Sequence, residues 1–235
     1  MTLDDHDWTQ ITADLDAFGA AILPGLLTAQ QCRSLAALYD RDLFRSQIIM
    51  ARHGFGRGEY KYFRYPLPDP IGALRAALYP RLAPVANRWH ADMGLDAPYP
   101  SSHADYLAQC HAAGQARPTP LLLKYEPGDY NCLHQDLYGD LHFPLQAAIL
   151  LSQPGTDFTG GEFVLTEQCP RMQSRAEVVP LGQGDCVIFA VSQRPVLKKT
   201  VSGVRGSYRV TLRHGVSRVR TGRRFTAGII FHDAA

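Results

Sequence analysis

The sequence has few of the features that mark secreted, membrane-bound or disulfide-stabilised proteins. It begins Met-Thr-Leu-Asp-Asp-His-Asp-Trp, without the basic start and apolar stretch of a signal peptide. No apolar run approaches the roughly 18 residues needed to span a membrane. The five cysteines are odd in number and include no CxxC pair, which disfavours a disulfide framework or a cysteine-rich zinc site. We therefore expect a cytoplasmic protein, without membrane partners, whose thiols are buried or inert.

Acidic residues are absent from one long segment near the C-terminus. No Asp or Glu lies between Cys186 and His232, whereas ten Lys or Arg occur from Arg194 to Arg224. The net charge of the whole chain is only +2, so positive charge is concentrated in this segment. Such a segment attracts anionic ligands, or it forms a solvated basic face balanced by the acidic N-terminal region. The sequence alone does not decide between an anion-binding segment and a solvated basic face.

What the sequence does contain is typical of one globular domain. Its 235 residues are 46% hydrophobic and 20% charged, without an internal repeat or a low-complexity tract. We predict a single domain over residues 1–235. Residues 1–117 are expected to be mainly helical support with a substrate loop, and residues 118–235 to form the catalytic core.

The N-terminal part has several helix signals and one strand signal. Thr28 and Gln31 have the spacing of a capping box, in which each side chain bonds the backbone N–H of the other residue. Pro80 and Pro84 lie inside the longest helical segment and predict an interruption there. The predicted elements are a helix over 8–18, a strand from 20, a helix from 28, an interrupted helix over 71–93, and a helix over 104–113 capped by Ser102.

Residues 52–66 are dense in glycine, aromatic and basic residues. These fifteen positions hold three Gly, five aromatics and four Lys or Arg, so we predict an irregular loop. Aromatic rings interleaved with cations suit base stacking and anion binding, as in a substrate lid. The alternative is that the rings fold back onto the core. The candidate substrate-binding residues are Arg52, Phe55, Arg57, Tyr60 and Tyr62.

From residue 118 onward, short apolar runs alternate with turn residues. The runs lie at 121–125, 146–152, 162–166, 185–191, 208–214 and 225–231, separated by Gly, Pro, Asp and Asn. Many short strands with turn signals between them are typical of a jelly roll. We predict an α+β fold with a double-stranded β-helix (jelly roll) core that the N-terminal helices buttress.

A metal-site pattern follows the first of these runs. His134 and Asp136 are two residues apart, so on an extended segment both side chains point to the same face. His214, at the end of a later run, completes a set of two histidines and one carboxylate, which leaves coordination positions open and favours non-haem Fe(II). The triad alone also suits a zinc hydrolase, but that interpretation gives no evident task to Arg224, ten residues after His214.

This pattern resembles the Fe(II)/2-oxoglutarate-dependent dioxygenase superfamily. Lys124-Tyr-Glu-Pro-Gly-Asp-Tyr and Gly160-Gly-Glu-Phe are similar to its prolyl-hydroxylase branch. The resemblance implies an enzyme that uses Fe(II), 2-oxoglutarate and O₂. It implies that the iron ligands are His134, Asp136 and His214, that Arg224 rather than Arg223 pairs with the distal carboxylate of 2-oxoglutarate, and that Tyr125 and Thr226 are auxiliary donors to it.

One departure from the prolyl-hydroxylase branch concerns the distal histidine. In that branch it follows soon after a Gly-Asp-x-Val-x-Phe strand, whereas here residues 190–213 separate Phe189 from His214. We predict that this basic insertion is a loop that flanks the mouth of the site.

The substrate is less well defined by the sequence. The segments that begin Met50-Ala-Arg-His and Leu133-His-Gln-Asp resemble a bacterial oxygenase family described as acting on alkylated DNA, which implies oxidative dealkylation of an extruded base. The Arg-x-Asn-x-Thr-x-Arg signature of AlkB-type demethylases is absent. The alternative is therefore hydroxylation of a protein side chain, such as proline, in a peptide. A cupin-like protein that binds metal without turnover is the alternative from another class.

Overall fold

Short strands and four helices make up the computed structural model, which describes residues 3–95, 99–137, 139–199 and 205–235. The helices are α1 (Trp8–Phe18), α2 (Ala29–Ala36), α3 (Asp69–Asp92) and α4 (His103–Ala112), with short 3-10 turns at Leu3–Asp5, Ala37–Asp40 and Met50–Arg52. The strands are β1 (Ala20–Leu23), β2 (Phe44–Ile49), β3 (Gly56–Arg57), β4 (Glu59–Phe63), β5 (Leu121–Tyr125), β6 (Tyr130–His134), β7 (Leu145–Leu150), β8 (Phe158–Gly160), β9 (Phe163–Gln168), β10 (Ser174–Val179), β11 (Cys186–Ala190), β12 (Gln193–Lys199), β13 (Arg205–Val216), β14 (Val219–Gly222) and β15 (Arg224–Ile229). No helix within these ranges is long and apolar enough to cross a membrane.

The strands form two large antiparallel sheets. One has the order β1-β11-β7-β15-β5-β4-β2, and the other has the order β10-β9-β13-β6-β3 with β12 paired to β13. Strands that are neighbours in a sheet are mostly distant in sequence, as in the crossed connectivity of a jelly roll. The predicted α+β fold with a double-stranded β-helix core is confirmed.

The two faces of the seven-stranded sheet have different surroundings. Leu122 and Ala227 point to the outer face, where they pack with Trp89 of α3 in the largest hydrophobic cluster. Leu121 and Leu123 alternate with Leu122 along β5 and point to the inner face, where they line a cavity between the two sheets. The helices therefore cover the outer face and leave the inner face for a site.

The helix predictions are confirmed except at the two prolines. In the capping box, Thr28 Oγ1 accepts from the N–H of Gln31 at 3.2 Å, and Gln31 Oε1 accepts from the N–H of Thr28 at 2.8 Å. The predicted interruption is wrong, because α3 runs unbroken through Pro80 and Pro84. Both prolines lie on the exposed side of α3, where a carbonyl that loses its partner N–H is open to water. Buried residues on the opposite side, such as Trp89, hold the helix against the sheet.

Two segments predicted as loops form strands. Residues 59–63, inside the predicted irregular loop, are β4, which pairs with β2 and β5. Their sequence Glu-Tyr-Lys-Tyr-Phe alternates as a strand does, but the glycines before it obscure the pattern. The predicted insertion forms the β12–β13 hairpin, of which residues 200–204 lie outside the described residues. The N-terminal part therefore contributes β1 to β4 rather than a single strand.

Candidate active site

A bulge in β6 directs its functional side chains into the cavity. His134 is level with His214 on β13, and Asn131 is level with Val216. Three residue steps on β6 (134 − 131) therefore match two on β13 (216 − 214), which is the register shift of a β-bulge. On a regular strand, Asn131 and His134 would face opposite ways. The extra residue allows both of them to line the cavity.

The three predicted metal ligands meet at one place. Ligand atoms of His134, Asp136 and His214 all lie within 4.8 Å of one another. His134 Nε2 is 3.3 Å from one carboxylate oxygen of Asp136, and His214 Nε2 is 3.3 Å from the other. Two imidazole nitrogens and one carboxylate oxygen form the donor set of non-haem Fe(II) sites. The residues present therefore fit an iron ion.

Hydrogen bonds and burial prepare these side chains to bind a metal. His134 Nδ1 lies 2.7 Å from the carbonyl oxygen of Cys132, so the ring donates from Nδ1 and keeps Nε2 for a metal. Burial raises the pKa of Asp136, but hydrogen bonds from the two histidines outweigh it and hold the pKa well below its ordinary value. Burial lowers the pKa of His214. Burial also acts to lower the pKa of His134, but its hydrogen bonds and the charge of Asp136 together outweigh burial and raise that pKa, so of the two rings His214 is the one held neutral. An anionic carboxylate and a neutral imidazole are the forms that bind metal.

Arg224 is a buried cation in the same cavity. It is 2% exposed, and burial lowers its pKa to about 10. Its Nη1 donates to Thr226 Oγ1 at 2.6 Å, whereas its Nε has no hydrogen-bond partner among the residues that the structure describes. The guanidinium carbon lies 5.6 Å from the centre of the buried Tyr125 ring. A planar guanidinium binds a carboxylate through two parallel hydrogen bonds, so this end of the cavity suits an anion.

The structure separates Arg224 from its neighbour Arg223. Arg223 is exposed, with its Nε 3.5 Å from Oε1 of Glu126, whereas Arg224 lines the cavity. Gly161, which has a φ of +66°, lies against the stem of Arg224. A Cβ atom at this position would stand 2.9 Å from Arg224 Cδ. The glycine therefore leaves space for the path of the arginine side chain.

One cavity of about 210 Å³ contains both the predicted metal ligands and Arg224. We call the group of His134, Asp136 and His214 the metal cluster, and the end of the cavity beside Arg224 the arginine pocket. Of the five predicted substrate residues, Phe55, Tyr60 and Tyr62 line this cavity. The rings of Tyr60 and Tyr62 meet edge to face, with their centres 5.4 Å apart, and Phe55 is 47% exposed. Arg52 and Arg57 are exposed and do not line the cavity. The structure thus brings the aromatic residues, but not the two arginines, to the site.

Three amide side chains that line the cavity, those of Asn131, Gln135 and Gln146, are missing from the sequence predictions. Gln146 is 4% exposed and lies within the apolar strand β7. A glutamine inside a run of Leu, Ala and Ile is the signal that identifies it, because a buried amide requires a hydrogen-bond partner. Asn131 carries no comparable signal, since its orientation depends on the bulge in β6.

The described hairpin residues of the basic segment that precede His214 pack against the rest of the fold and do not line the cavity. Arg194 is 3% exposed, and its Nε donates to Glu167 Oε2 at 3.0 Å while its Nη1 donates to the carbonyl of Asp16 at 2.7 Å. This arginine therefore fastens the hairpin to the rest of the fold. No described residue of the hairpin before His214 lines the cavity.

Comparison with known protein families identifies an oxygenase family. A family described as "Oxygenase, catalysing oxidative methylation of damaged DNA" matches residues 58–234 of this chain. Two proteins of Mycobacterium tuberculosis, from strains CDC 1551 and H37Rv and both described as uncharacterized, are 53% identical to it over 173 residues. That alignment covers 74% of this chain and 72% of each relative.

Several solved structures are similar at lower identity. A Pseudomonas putida prolyl-4-hydroxylase is 15% identical with a TM-score of 0.54, over 97% of this chain and 100% of that one. A 2OG-Fe(II) oxygenase family oxidoreductase of Burkholderia pseudomallei is 16% identical with a TM-score of 0.55, over 100% and 96%. A Trichoplax adhaerens prolyl hydroxylase, solved with a hypoxia inducible factor peptide, is 12% identical with a TM-score of 0.53, over 95% and 87%. At these identities the likeness shows a shared fold.

Proposed function

Because this chain belongs to the oxygenase family whose description names damaged DNA, we propose that it removes N-alkyl groups from damaged bases by oxidation. The observation that carries the proposal is the family match over residues 58–234, a range that includes all three residues of the metal cluster. The side chains of Phe55, Tyr60 and Tyr62, which form an aromatic wall of the same cavity, support the proposal because flat rings suit a nucleobase.

The protein is an Fe(II)- and 2-oxoglutarate-dependent dioxygenase, an oxidoreductase that consumes O₂. When bound, Fe(II) with 2-oxoglutarate and O₂ supplies the oxidation of a C–H bond. The residues present fit this chemistry, because an imidazole–carboxylate cluster and a buried guanidinium share one cavity. The contribution of the protein is to hold these groups in place and to exclude water.

The proposed roles divide between the two sheets. The proposed iron ligands are His134, Asp136 and His214, and the proposed residues for the distal carboxylate of 2-oxoglutarate are Arg224, Tyr125 and Thr226. The two histidines belong to strands of the six-stranded sheet, and the carboxylate-binding residues belong to the seven-stranded sheet. A diacid that reaches across the cavity is therefore held at both ends, which fixes its orientation before O₂ arrives.

Dealkylation follows from hydroxylation of the carbon attached to nitrogen. One oxygen atom of O₂ enters a C–H bond of an N-methyl group and gives N–CH₂–OH, while the other enters 2-oxoglutarate, which leaves as succinate and CO₂. The C–N bond then breaks, the hydroxyl proton passes to the ring nitrogen, and formaldehyde leaves. Oxidation of this kind removes a methyl group and cannot add one, so we infer that the reaction is a demethylation.

The cavity requires a base that has left the helix. It lies between two sheets and has a volume of about 210 Å³, so a base that is stacked within a duplex does not reach the metal cluster. Phe55, Tyr60 and Tyr62 supply the aromatic faces that hold the extruded base. Arg52 and Arg57 are exposed on the same segment, where they suit the phosphates beside it.

Hydroxylation of a protein side chain is the second candidate function. One observation favours it: apolar side chains next to the metal ligands are exposed, with Leu133 at 44% and Leu137 at 48%. An apolar rim of this kind suits an extended peptide better than a sugar–phosphate backbone.

A comparison of two substrate sets tests the proposal. The Fe(II)-loaded enzyme is supplied with 2-oxoglutarate and either N-methylated oligonucleotides or proline-containing peptides, with Asp136→Ala as the inactive control. We expect formaldehyde equimolar with succinate from the oligonucleotides alone, and less of both as salt rises. Succinate with a hydroxylated peptide and no formaldehyde would favour the second candidate. Absence of substrate-dependent succinate from both sets would favour a metal-binding protein without turnover.

A further inference from the structure

A second buried donor lies in the cavity, on a different strand from Arg224. Gln146 is 4% exposed, and its Nε2 has no hydrogen-bond partner among the described residues. The side chain lines the same cavity as the metal cluster. An unpaired amide N–H is costly in apolar surroundings, so its presence in a cavity points to a ligand that accepts from it.

Strand pairing places Gln146 at the metal end of the cavity. It is level with Phe189 on β11, and the centre of the Phe189 ring lies 4.5 Å from the centre of the His214 ring. The glutamine is therefore one strand away from a phenylalanine that packs on a proposed iron ligand.

The same register places Gln146 far from the arginine pocket. Thr226, which accepts the hydrogen bond from Arg224, is level with Leu150 on β7. Leu150 is four residues from Gln146 (150 − 146), which at about 3.4 Å per residue is about 14 Å along the strand. This separation is between backbone positions, and both side chains project from them into the one cavity, Arg224 at one end and Gln146 at the other.

Gln135, which also lines the cavity beside the metal cluster, is already engaged. Gln135 donates through Nε2 to the carbonyl oxygens of Ser192 at 3.1 Å and Leu212 at 2.9 Å. The wall beside Gln146 is apolar and includes Phe189. Among the described residues that line this cavity, Gln146 Nε2 is the buried amide donor without a hydrogen-bond partner.

We propose that Gln146 donates a hydrogen bond to the carboxylate of 2-oxoglutarate nearer the metal. This inference rests on one part of the proposed function, the cosubstrate site. In that site the distal carboxylate of 2-oxoglutarate binds Arg224, and its 2-oxo acid end lies at the metal cluster. A carboxylate oxygen in that position needs a donor, because apolar side chains surround it. A neutral amide supplies one without adding charge beside Asp136.

Binding of 2-oxoglutarate to the oxygen-free, Fe(II)-loaded protein tests the proposal without turnover. Gln146→Leu and Gln146→Met remove the donor at similar size. Gln183→Leu is the matched control, because Gln183 Nε2 donates to the carbonyl of Leu151 outside the cavity. By calorimetry, we expect the dissociation constant for 2-oxoglutarate to rise roughly 10- to 100-fold in both Gln146 variants, the effect of losing a hydrogen bond to a charged group. The visible absorption band of the bound chelate should also shift, while the control matches the wild type.

Wild-type affinity and band position in either folded Gln146 variant would overturn the inference. It would also be overturned if a variant raised only the KM of the nucleic-acid or peptide substrate, which would assign Gln146 to substrate binding. Circular dichroism identifies the folded variants. Gln146→Glu is a third variant, in which the added carboxylate should repel the carboxylate of 2-oxoglutarate and weaken its binding further. If the wild type itself fails to bind 2-oxoglutarate, the proposed cosubstrate site is wrong. If the wild type binds it and the Gln146 variants bind it equally well, only the role of Gln146 is wrong.

Discussion

Arg224 is level with Tyr125 on the adjacent strand, and its guanidinium carbon lies 5.6 Å from the centre of the tyrosine ring. The arginine is 2% exposed and forms no ion pair with any carboxylate that the structure describes. A buried cation requires an anionic partner to offset its lost hydration. A diacid cosubstrate supplies that partner, so this pair links the fold to the use of 2-oxoglutarate.

Replacement of this arginine should act mainly on cosubstrate binding. We expect Arg224→Gln to raise the KM for 2-oxoglutarate roughly 100-fold or more, because a bidentate charged contact is lost. Initial rates over a range of 2-oxoglutarate concentrations measure the effect. Arg223→Gln is the control, since Arg223 is exposed beside Glu126. Equal effects of the two substitutions would contradict the assignment of Arg224.

Gly161, which lies against the Arg224 side chain, should also be needed for 2-oxoglutarate binding. Gly161→Ala places a Cβ atom 2.9 Å from Arg224 Cδ at a φ of +66°, whereas Gly155→Ala at a φ of +79° meets nothing within 4 Å. Backbone strain should cost both variants about 1–2 kcal/mol of stability. Gly161→Ala should cost more than Gly155→Ala, because its Cβ atom also stands 2.9 Å from Cγ2 of the buried Val219. Only Gly161→Ala should raise the KM for 2-oxoglutarate, by roughly tenfold or more, because it displaces the arginine. Chemical denaturation and steady-state rates measure the two effects, and a raised KM in Gly155→Ala would argue against this explanation.

The aromatic wall should affect the substrate and not the cosubstrate. Phe55 lines the cavity and is 47% exposed, so Phe55→Ala should raise the KM for a methylated oligonucleotide by roughly 5- to 100-fold through loss of stacking. The affinity for 2-oxoglutarate should not change. Phe18→Ala removes a ring of similar exposure, 48%, at the end of α1 and is the control. Unchanged oligonucleotide kinetics in Phe55→Ala would remove this residue from the proposed substrate site.

Much of the fold follows from local patterns in the sequence. The capping box at Thr28 and the strand Leu121–Tyr125 lie where the sequence predicts them, because hydrogen bonding and side-chain alternation within one segment decide them. The two prolines of α3 were misleading because their effect depends on which face of the helix meets water. That property belongs to the assembled fold and not to the segment.

The site was predictable in its ligands but not in its cavity. His134, Asp136 and His214 are marked by spacing and residue type, and the structure brings them together. Asn131 faces the cavity only because of a register shift with β13, and Gln146 faces it because of its place in the sheet. Register between distant strands is set by tertiary packing, so a single sequence does not reveal it.

A buried ion pair near the C-terminus should matter for stability. Arg75 Nη2 is 2.8 Å from Asp233 Oδ1, with the side chains 1% and 0% exposed. Burial raises the pKa of Asp233, but Arg75 and hydrogen bonds from His111 and Tyr65 outweigh it and leave the pKa below its ordinary 3.8. We expect Asp233→Asn to lower the free energy of unfolding by about 3–5 kcal/mol at pH 7, since an unpaired buried cation remains. Asp42→Asn, in an exposed ion pair, should cost less than about 1 kcal/mol.

The pH dependence of this effect has a definite sign. A depressed carboxyl pKa contributes stability that is present above pH 3.8 and lost as pH falls through the lower pKa of the folded state. The difference between wild type and Asp233→Asn in urea unfolding should therefore be largest near neutrality and shrink in acid. A difference that grows as pH falls would contradict this explanation.

Two buried histidines should weaken the fold in mild acid. Burial lowers the pKa of His103 and of His232 from 6.5 to about 4. Below pH 6.5 the unfolded chain takes up protons that the folded chain does not, so the free energy of unfolding should fall between pH 6.5 and about 4. His103→Gln keeps a donor for the carbonyl of Phe231 and should flatten this dependence in thermal unfolding, whereas the exposed control His53→Gln should not. An unchanged slope in His103→Gln would contradict the assignment.

Anaerobic addition of Fe(II) and 2-oxoglutarate to the wild type and to Asp136→Ala tests the central claim most directly. The metal cluster and Arg224 share one cavity, so the wild type should develop the weak visible charge-transfer band of the chelate. Asp136→Ala should remain folded by circular dichroism and show no band, because it lacks the carboxylate ligand. A band of equal strength in Asp136→Ala, or none in freshly prepared wild type that binds metal, would contradict the site described for this oxygenase.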